Sequence, residues 1–220
     1  MALLAATAAP LAAQGHTHGA QGGNHGAHHG GGAHAMPAGW QARLDREGST
    51  DALHFMEMSG GFHVTTGPAA VFYNPANNVT GDFRARATFT QTKAPTHPEA
   101  YGLVIAGKDL GAAADYMYFI VRGDGKYMVR HRAPNGEVHT IVDWTESPAL
   151  VKQDAAGKAT NALAVEGGAF GVRFLANGQK VAEFLKADVP YLVTDGIVGL
   201  RVNHNLDVHV SDFAVERGGM

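Results

Sequence analysis

Short alternating runs of apolar and polar residues, separated by tight-turn dipeptides, are the feature that most constrains how this chain can fold. The densest of these runs, residues 116–121, is followed at once by an alternating run over 126–132. Asp-Gly and Asn-Gly between alternating runs favour type I′ hairpin turns between antiparallel strands. Three dipeptides of this kind lie between two alternating runs: Asp124-Gly125, Asn135-Gly136 and Asn177-Gly178.

The strands themselves show a period of two, which places successive side chains on opposite faces of a sheet. In residues 83–89 the pattern predicts that Phe83, Ala85, Ala87 and Phe89 face a core, and that Arg84, Arg86 and Thr88 face away from it. Long helical periodicity is absent from residue 40 onward, and roughly a dozen strands are expected. The sequence therefore predicts an all-β, two-sheet antiparallel sandwich as one domain over residues 40–217.

The first 39 residues have a different character. Residues 1–14 are apolar and end in small residues, as in a secretory leader, although the usual basic start is missing. Residues 15–39 are a low-complexity segment rich in histidine and glycine, expected to be a disordered tail. We therefore expect an exported protein, periplasmic or extracellular, that does not itself span a membrane. A cytosolic protein with an alanine-rich start is the alternative.

Composition excludes several classes of function. The chain has no cysteine, so disulfides and thiolate metal sites are ruled out. Its formal net charge is −3 over 220 residues and no basic block occurs, which argues against nucleic acid as a partner. Hydrophobic residues make up 45% of the chain, enough for a core that can hold a sandwich together without disulfides.

The order of these runs resembles the concanavalin A-like, laminin-G-like jelly-roll domains of bacterial exported proteins. It is also similar to 3-keto-disaccharide hydrolase-like domains. The resemblance covers about residues 60–216 and rests on YGLVIAG followed by YMYFIVRGDGKY, on FLANGQKVAEF and on GIVGLRV followed by VHVSDFAV. It implies a jelly roll whose concave sheet commonly carries a ligand, often a carbohydrate, and in some members a calcium ion at the edge. One fold hosts many activities, so function must be argued from the site.

Known catalytic patterns are not found in the sequence. A retaining glycosidase needs two carboxylates about 5 Å apart, and no Glu-x-Asp-x-x-Glu run supplies them. Asp143 and Glu146, on either side of Trp144, are more simply explained as turn residues. None of the four serines lies in a Gly-x-Ser-x-Gly elbow, and no phosphate-binding glycine loop occurs.

The candidate ligand-binding residues are aromatic or basic side chains on predicted strands. Tyr101, Tyr118 and Trp144, together with Tyr116, are a candidate stacking platform for a sugar, with Arg130 as a polar contact. Aromatic residues in strands more often belong to the core, which is the competing interpretation.

Candidate metal ligands lie mainly in the tail. Six of the 13 histidines are there, and neutral imidazoles on a flexible segment bind Zn²⁺ or Cu²⁺. These are His16, His18, His25, His28, His29 and His34. The histidines of the sandwich are expected to be ordinary polar residues, although His131 and His139 could face each other across a hairpin. Asp109 and Asp115 are a candidate Ca²⁺ site, and no cofactor is required.

Three functions remain open at this point. The chain is best explained as a non-catalytic module that binds carbohydrate, which predicts an open face with exposed aromatic and polar side chains. An accessory subunit docking on another exported or membrane protein would instead expose a large apolar patch. A glycoside-active enzyme would gather titratable groups with shifted pKa values in one pocket.

Overall fold

A computed structural model describes residues 36–218, and within them all regular secondary structure is β-strand. The six tail histidines and the leader lie outside the described residues. No helix in the described part is long and apolar enough to cross a membrane. The strands, in chain order, are β1 (Gln41–Leu44), β2 (Leu53–Met58), β3 (Gly61–Thr66), β4 (Ala70–Val79), β5 (Phe83–Gln91), β6 (Ala100–Lys108), β7 (Asp115–Arg122), β8 (Lys126–Arg132), β9 (Val138–Glu146), β10 (Ala159–Gly167), β11 (Gly171–Ala176), β12 (Gln179–Leu185), β13 (Gly196–Val202) and β14 (Asp207–Arg217).

These strands form two seven-stranded antiparallel sheets. The first sheet has the order β1-β4-β13-β6-β7-β8-β9, and the second has the order β12-β11-β10-β5-β14-β3-β2. Both sheets mix strands from distant parts of the chain, as in a jelly roll. The predicted all-β, two-sheet sandwich is confirmed.

The core lies between the sheets and follows the alternation of the sequence. Phe83, Ala85, Ala87 and Phe89 are all buried in it, as predicted, while the residues between them are exposed or half-buried. Facing them from the first sheet are the inward residues of β7, among them Met117 and Phe119. At about 25 cal/mol per Å² of apolar surface removed from water, this burial is the main favourable contribution to folding.

The hairpin turns follow the prediction in position but only partly in type. Asn177 and Gly178 both have positive φ, at 50° and 78°, as a type I′ turn requires. At the other two dipeptides only Gly125 and Gly136 have positive φ. The type I′ prediction is therefore wrong there, because the loops between the strands are longer than two residues.

A buried asparagine pair fixes the Asn177 turn against the loop after β9. Asn161 is fully buried and bonds both backbone groups of Val151, accepting from its N–H at 2.8 Å and donating to its carbonyl at 3.1 Å. The Asn177 amide donates to Asn161 Oδ1 at 2.9 Å and to the Ala149 carbonyl at 2.8 Å. Because buried polar groups are costly unless paired, these bonds tie the second sheet to this loop.

Candidate ligand-binding face

The outward face of the first sheet carries a second apolar cluster, separate from the core between the sheets. Along β7, Met117, Phe119 and Val121 point inward, yet the outward Tyr116, Tyr118 and Ile120 are also nearly buried. Neighbouring strands and the loop after β6 complete this layer, which we call the apolar floor: Val71, Tyr73, Ala100, Val104, Leu110, Ala114, Tyr116, Tyr118, Ile120 and Met128. A sheet face covered in this way differs from the polar outer face of an ordinary sandwich.

Five arginines surround and cover the apolar floor, and we call this surface the arginine face. Its members are Arg43, Arg122, Arg130, Arg132 and Arg201. Three of them, Arg130, Arg132 and Arg201, have a buried Nε atom without a hydrogen-bond partner. Within residues 36–218, Arg43 and Arg132 form no ion pair, so the five arginines outnumber the three carboxylates that pair with them.

Arg201 is the most buried of the five and is held by Asp45. Its Nη1 donates to Asp45 Oδ1 at 2.8 Å and to the Tyr116 hydroxyl at 3.2 Å, and its Nη2 donates to Asp45 Oδ2. Its guanidinium also lies over the Tyr118 ring, 4.8 Å from the centroid. The two parallel N–H groups of a guanidinium can each donate a hydrogen bond to one oxygen of the same carboxylate, as they do here.

These contacts move the pKa values of three groups away from neutrality. Burial alone would raise the pKa of Asp45, but the hydrogen bond and charge of Arg201, with the charges of Arg132 and Arg43, lower it below its ordinary value. Burial raises the pKa of the Tyr116 hydroxyl, and the charge of Arg201 offsets this only in part. Burial opposes the charge of Arg201, but Asp45 outweighs it and raises the pKa of the guanidinium. Each group therefore keeps its ordinary protonation state at neutral pH.

The other side of the arginine face is more open. The Arg122 guanidinium lies 4.2 Å from the centroid of the half-buried Trp144 ring and bonds Asp124 at 2.6 Å. Arg130 is about one-third exposed, and its nearest carboxylate oxygen belongs to Asp143 at 3.7 Å, beyond hydrogen-bond distance. Arg130 therefore keeps donors free to bind a ligand.

A groove opens at the β1 edge of this face. It has a volume of about 460 Å³ and lies between the loop after β1 and the loop after β6, with Arg43, Asp45, Arg46, Gly111 and Ala112 among its lining residues. This volume is within the range of about 300–1,000 Å³ that small-molecule sites occupy. The arginine face thus adjoins a concavity of useful size.

The outer face of the second sheet is different in character. Its charged residues neutralise one another, as in the chain of contacts from Arg84 to Glu166, from Glu166 to Arg173 and from Arg173 to Glu183. Two depressions lie on this sheet, one of about 120 Å³ beside Arg86 and Leu163 and one of about 350 Å³ lined in part by Glu166, Arg173 and Glu183. Both are smaller than the groove of about 460 Å³ beside the arginine face, and the ion pairs leave less unbalanced charge here.

The predicted ligand-binding residues do not form one stacking platform. Tyr101 is fully buried between the sheets and stacks on Phe89, with ring centroids 5.4 Å apart, so it belongs to the core and not to a surface. Tyr118 lies on the outer face, but the Arg201 guanidinium covers its ring. Trp144 and Arg130 lie on the arginine face, where both are partly exposed. Tyr101 is therefore a core residue and not part of a ligand-binding surface. Tyr118, Trp144 and Arg130 lie together on one surface.

Two other sequence expectations concern residues of the first sheet. His131 and His139 do face each other across the β8–β9 pair, and their rings stack with centroids 5.6 Å apart. His131 Nε2 lies 2.7 Å from Asp115, which is therefore already engaged. Asp109 accepts a hydrogen bond from the Ala113 amide at 3.2 Å. The two aspartates have separate partners, and calcium at this loop stays a prediction.

Arg201, Asp45 and Arg43 were not among the residues predicted from the sequence to bind a ligand. Arg201 could have been noticed, because it is the one charged residue in the apolar run of β13, Gly196–Val202. An isolated arginine in such a strand must be paired, stacked or used for binding. Nothing in the sequence pairs it with Asp45, 156 residues away.

No protein-family model matches this sequence, and no curated protein matches it either. Among solved structures, the carbohydrate-binding module CBM66 from Bacillus subtilis is similar with a TM-score of 0.59 and 12% identity, over 81% of this chain and 95% of that one. The carbohydrate recognition domain of Emp47p has a TM-score of 0.52 and 9% identity, over 83% and 90%. Alginate lyase A1-II′ has a TM-score of 0.52 and 10% identity, over 81% and 94%. At these identities the likeness shows the fold alone, and the chain has the concanavalin A-like jelly-roll fold.

Proposed function

We propose that this protein is a carbohydrate-binding module whose ligand lies on the arginine face. The observation that carries the proposal is the combination of five arginines, the half-buried Trp144 and an adjoining groove on one sheet face. Sugars present apolar C–H faces to aromatic rings and polar groups to donors, and this surface offers both. Proteins that share the fold include a carbohydrate-binding module and a carbohydrate recognition domain, which supports the proposal.

The charge of the face points to an acidic glycan, one that carries carboxylate or sulfate groups. Among the five arginines, three face carboxylates: Asp45 at Arg201, Asp124 at Arg122 and, less closely, Asp143 at Arg130. The remaining positive charge and the free donors of Arg130 and Arg132 suit an anionic ligand. Arginine binds carboxylates and sulfates well because its planar fork matches two oxygens at once.

Binding is favoured over catalysis by the protonation states on this face. A general acid or base works best when its pKa lies near the working pH. The pKa values of Asp45, Tyr116 and Arg201 are all displaced away from neutrality. These groups therefore suit a fixed electrostatic surface better than proton transfer, and an assay for depolymerisation of the bound glycan would reveal an enzyme instead.

Export is part of the proposal and rests on the leader-like residues 1–14. The protein would then bind glycan in the periplasm or outside the cell. N-terminal sequencing of protein recovered from the periplasmic or extracellular fraction tests this. A cleaved chain beginning near residue 15 is expected, and an intact Met1 in the cytosolic fraction would contradict it.

The binding test compares acidic and neutral oligosaccharides of equal length by calorimetry. We expect binding of polyuronate or sulfated chains that weakens as salt is added, since charge contacts are screened. Arg130→Ala is expected to weaken binding by about tenfold to 100-fold, as loss of a charged hydrogen bond worth about 1.5–3 kcal/mol predicts. The matched control is Arg86→Ala on the second sheet, which should leave affinity unchanged. Equal loss in both variants, or tighter binding of neutral chains, would contradict the proposal.

A further inference from the structure

Two histidines and an aspartate converge on the outer face of the second sheet, far in sequence from the tail histidines. His63 on β3 is paired directly with His209 on β14, and Asp207 lies two residues before His209 on the same face. All three side chains place ligand atoms within 4.8 Å of one another. Within the described part of the chain, no other group of three histidine or acidic side chains does so.

The contacts within this group differ from those of two other histidine–carboxylate pairs, although His139 and Glu137 are also apart, at 3.9 Å. His131 with Asp115 and His204 with Glu99 lie at hydrogen-bond distances of 2.7 and 2.8 Å. His63 Nε2 is 3.6 Å from Asp207 Oδ1, too far for a direct hydrogen bond. The His209 ring meets the His63 ring edge-on, with centroids 4.6 Å apart and an interplanar angle of 85°. The His209 imidazole therefore lies beside His63 and Asp207, which form no direct hydrogen bond with each other.

This spacing suits a bound ion. Zinc binds imidazole nitrogen and carboxylate oxygen at about 2.0–2.2 Å, so neighbouring ligands around a tetrahedral ion lie about 3.4 Å apart. His63 Nε2 and Asp207 Oδ1 are already close to that separation. His209 is exposed and can rotate into place without disturbing the core.

Neighbouring side chains already contact the candidate ligands. The Thr92 hydroxyl donates to Asp207 Oδ1 at 2.8 Å. The Thr65 hydroxyl is 3.2 Å from His63 Nε2 and must rotate away when that nitrogen binds an ion, because an imidazole nitrogen has only one lone pair. Lys93 Nζ is 3.4 Å from Asp207 Oδ2, but its side chain is 65% exposed and can move into solvent. A hydrogen bond such as that from Thr92 commonly fixes a metal-binding carboxylate.

We propose that His63, Asp207 and His209 form a binding site for a divalent transition-metal ion such as Zn²⁺ on the sandwich itself. Two imidazoles and one carboxylate leave further coordination positions open to solvent. From the sequence, the histidines of the sandwich were expected to be ordinary polar residues, and metal binding was expected in the tail. This site is independent of the arginine face, because it lies on the other sheet.

The test uses the full-length chain in which the six tail histidines are replaced by glutamine, so that the tail cannot contribute imidazoles. Calorimetry with Zn²⁺ alone is expected to show one equivalent bound per chain. His209→Ala and Asp207→Asn, each in this background, are expected to abolish stoichiometric binding. His204→Ala, which changes an exposed histidine of the same domain, is the matched control and should retain it.

A second measurement identifies the ligands directly and guards against variants that fail to fold. The imidazole ¹⁵N resonances of His63 and His209 should shift on Zn²⁺ addition in the tail-substituted chain, while that of His204 should not. If the tail-substituted chain binds no Zn²⁺, or if His204→Ala removes binding as fully as His209→Ala does, the proposal is wrong.

Discussion

The ion pair between Asp45 and Arg201 is the contact whose removal should most affect stability outside the core. The Arg201 side chain is only 9% exposed, so without Asp45 its charge would stay buried with no counter-ion. Asp45→Ala removes both hydrogen bonds to the guanidinium and leaves only the Tyr116 hydroxyl and the Tyr118 ring as partners.

Breaking a buried pair by removing one partner costs about 3–5 kcal/mol. We expect the lower end of this range, about 3 kcal/mol, because Asp45 is itself 30% exposed and two partners of Arg201 remain. Most single domains have a free energy of unfolding of only about 5–15 kcal/mol, so this loss is a large share of the total.

Urea unfolding of the wild-type and variant chains measures this loss, provided the m-values agree. The control is Glu216→Ala, which breaks the ion pair with Arg86 on the second sheet, where both side chains are about half exposed. An exposed pair is worth about 0–1 kcal/mol, so this variant should change stability little. A double variant, Asp45→Leu with Arg201→Met, should recover much of the loss because it leaves no buried charge.

The reasoning would be refuted if Asp45→Ala cost no more than Glu216→Ala. The pH dependence gives an independent check. Because the folded pKa of Asp45 lies below its unfolded value of 3.8, the stability it contributes is fully present above that value and is lost as pH falls through the folded pKa. The difference in stability between wild type and Asp45→Ala should therefore shrink as the pH falls below about 4.

Three further predictions concern the core, the turns and the tail. Phe89→Ala should lower the free energy of unfolding by about 3–5 kcal/mol, and Phe170→Ala, 84% exposed at a turn, should change it by less than about 0.5 kcal/mol, both measured in urea. Asn177→Ala should cost about 2–3 kcal/mol in the same assay, because it removes the hydrogen bond to Asn161 and those to the Ala162 N–H and the Ala149 carbonyl. Deleting residues 15–35 should leave the melting temperature unchanged, and a drop of several degrees would show that they pack on the sandwich.

Local pattern predicted the sandwich well because the signals for strands are short in range. Alternation over residues 83–89 placed Phe83 and Phe89 in the core, and the Asn177-Gly178 dipeptide identified its hairpin turn and the conformation of that turn. Both the alternation and the turn dipeptide involve only residues that are close together in the sequence. They can therefore be recognised without knowing which strands pair.

The surface could not be predicted in the same way, because its contacts join distant parts of the chain. The sequence shows that Tyr101 and Tyr118 are aromatic residues on strands, but not that one faces the core and the other lies under Arg201. Similarly, His63 and His209 meet only because β3 and β14 are neighbours in the second sheet. Sheet order, which decides these meetings, is not encoded in the alternation of any single strand.

The central claim is that the ligand lies on the arginine face, and mapping of backbone amide shifts tests it most directly. A ¹H–¹⁵N titration of the protein with an acidic oligosaccharide should shift amides of β6, β7, β8 and β13 in the first sheet, together with the indole N–H of Trp144. Amides of β5, β10 and β14 in the second sheet should stay in place. Shifts confined to the second sheet would contradict the account, even if the oligosaccharide bound tightly.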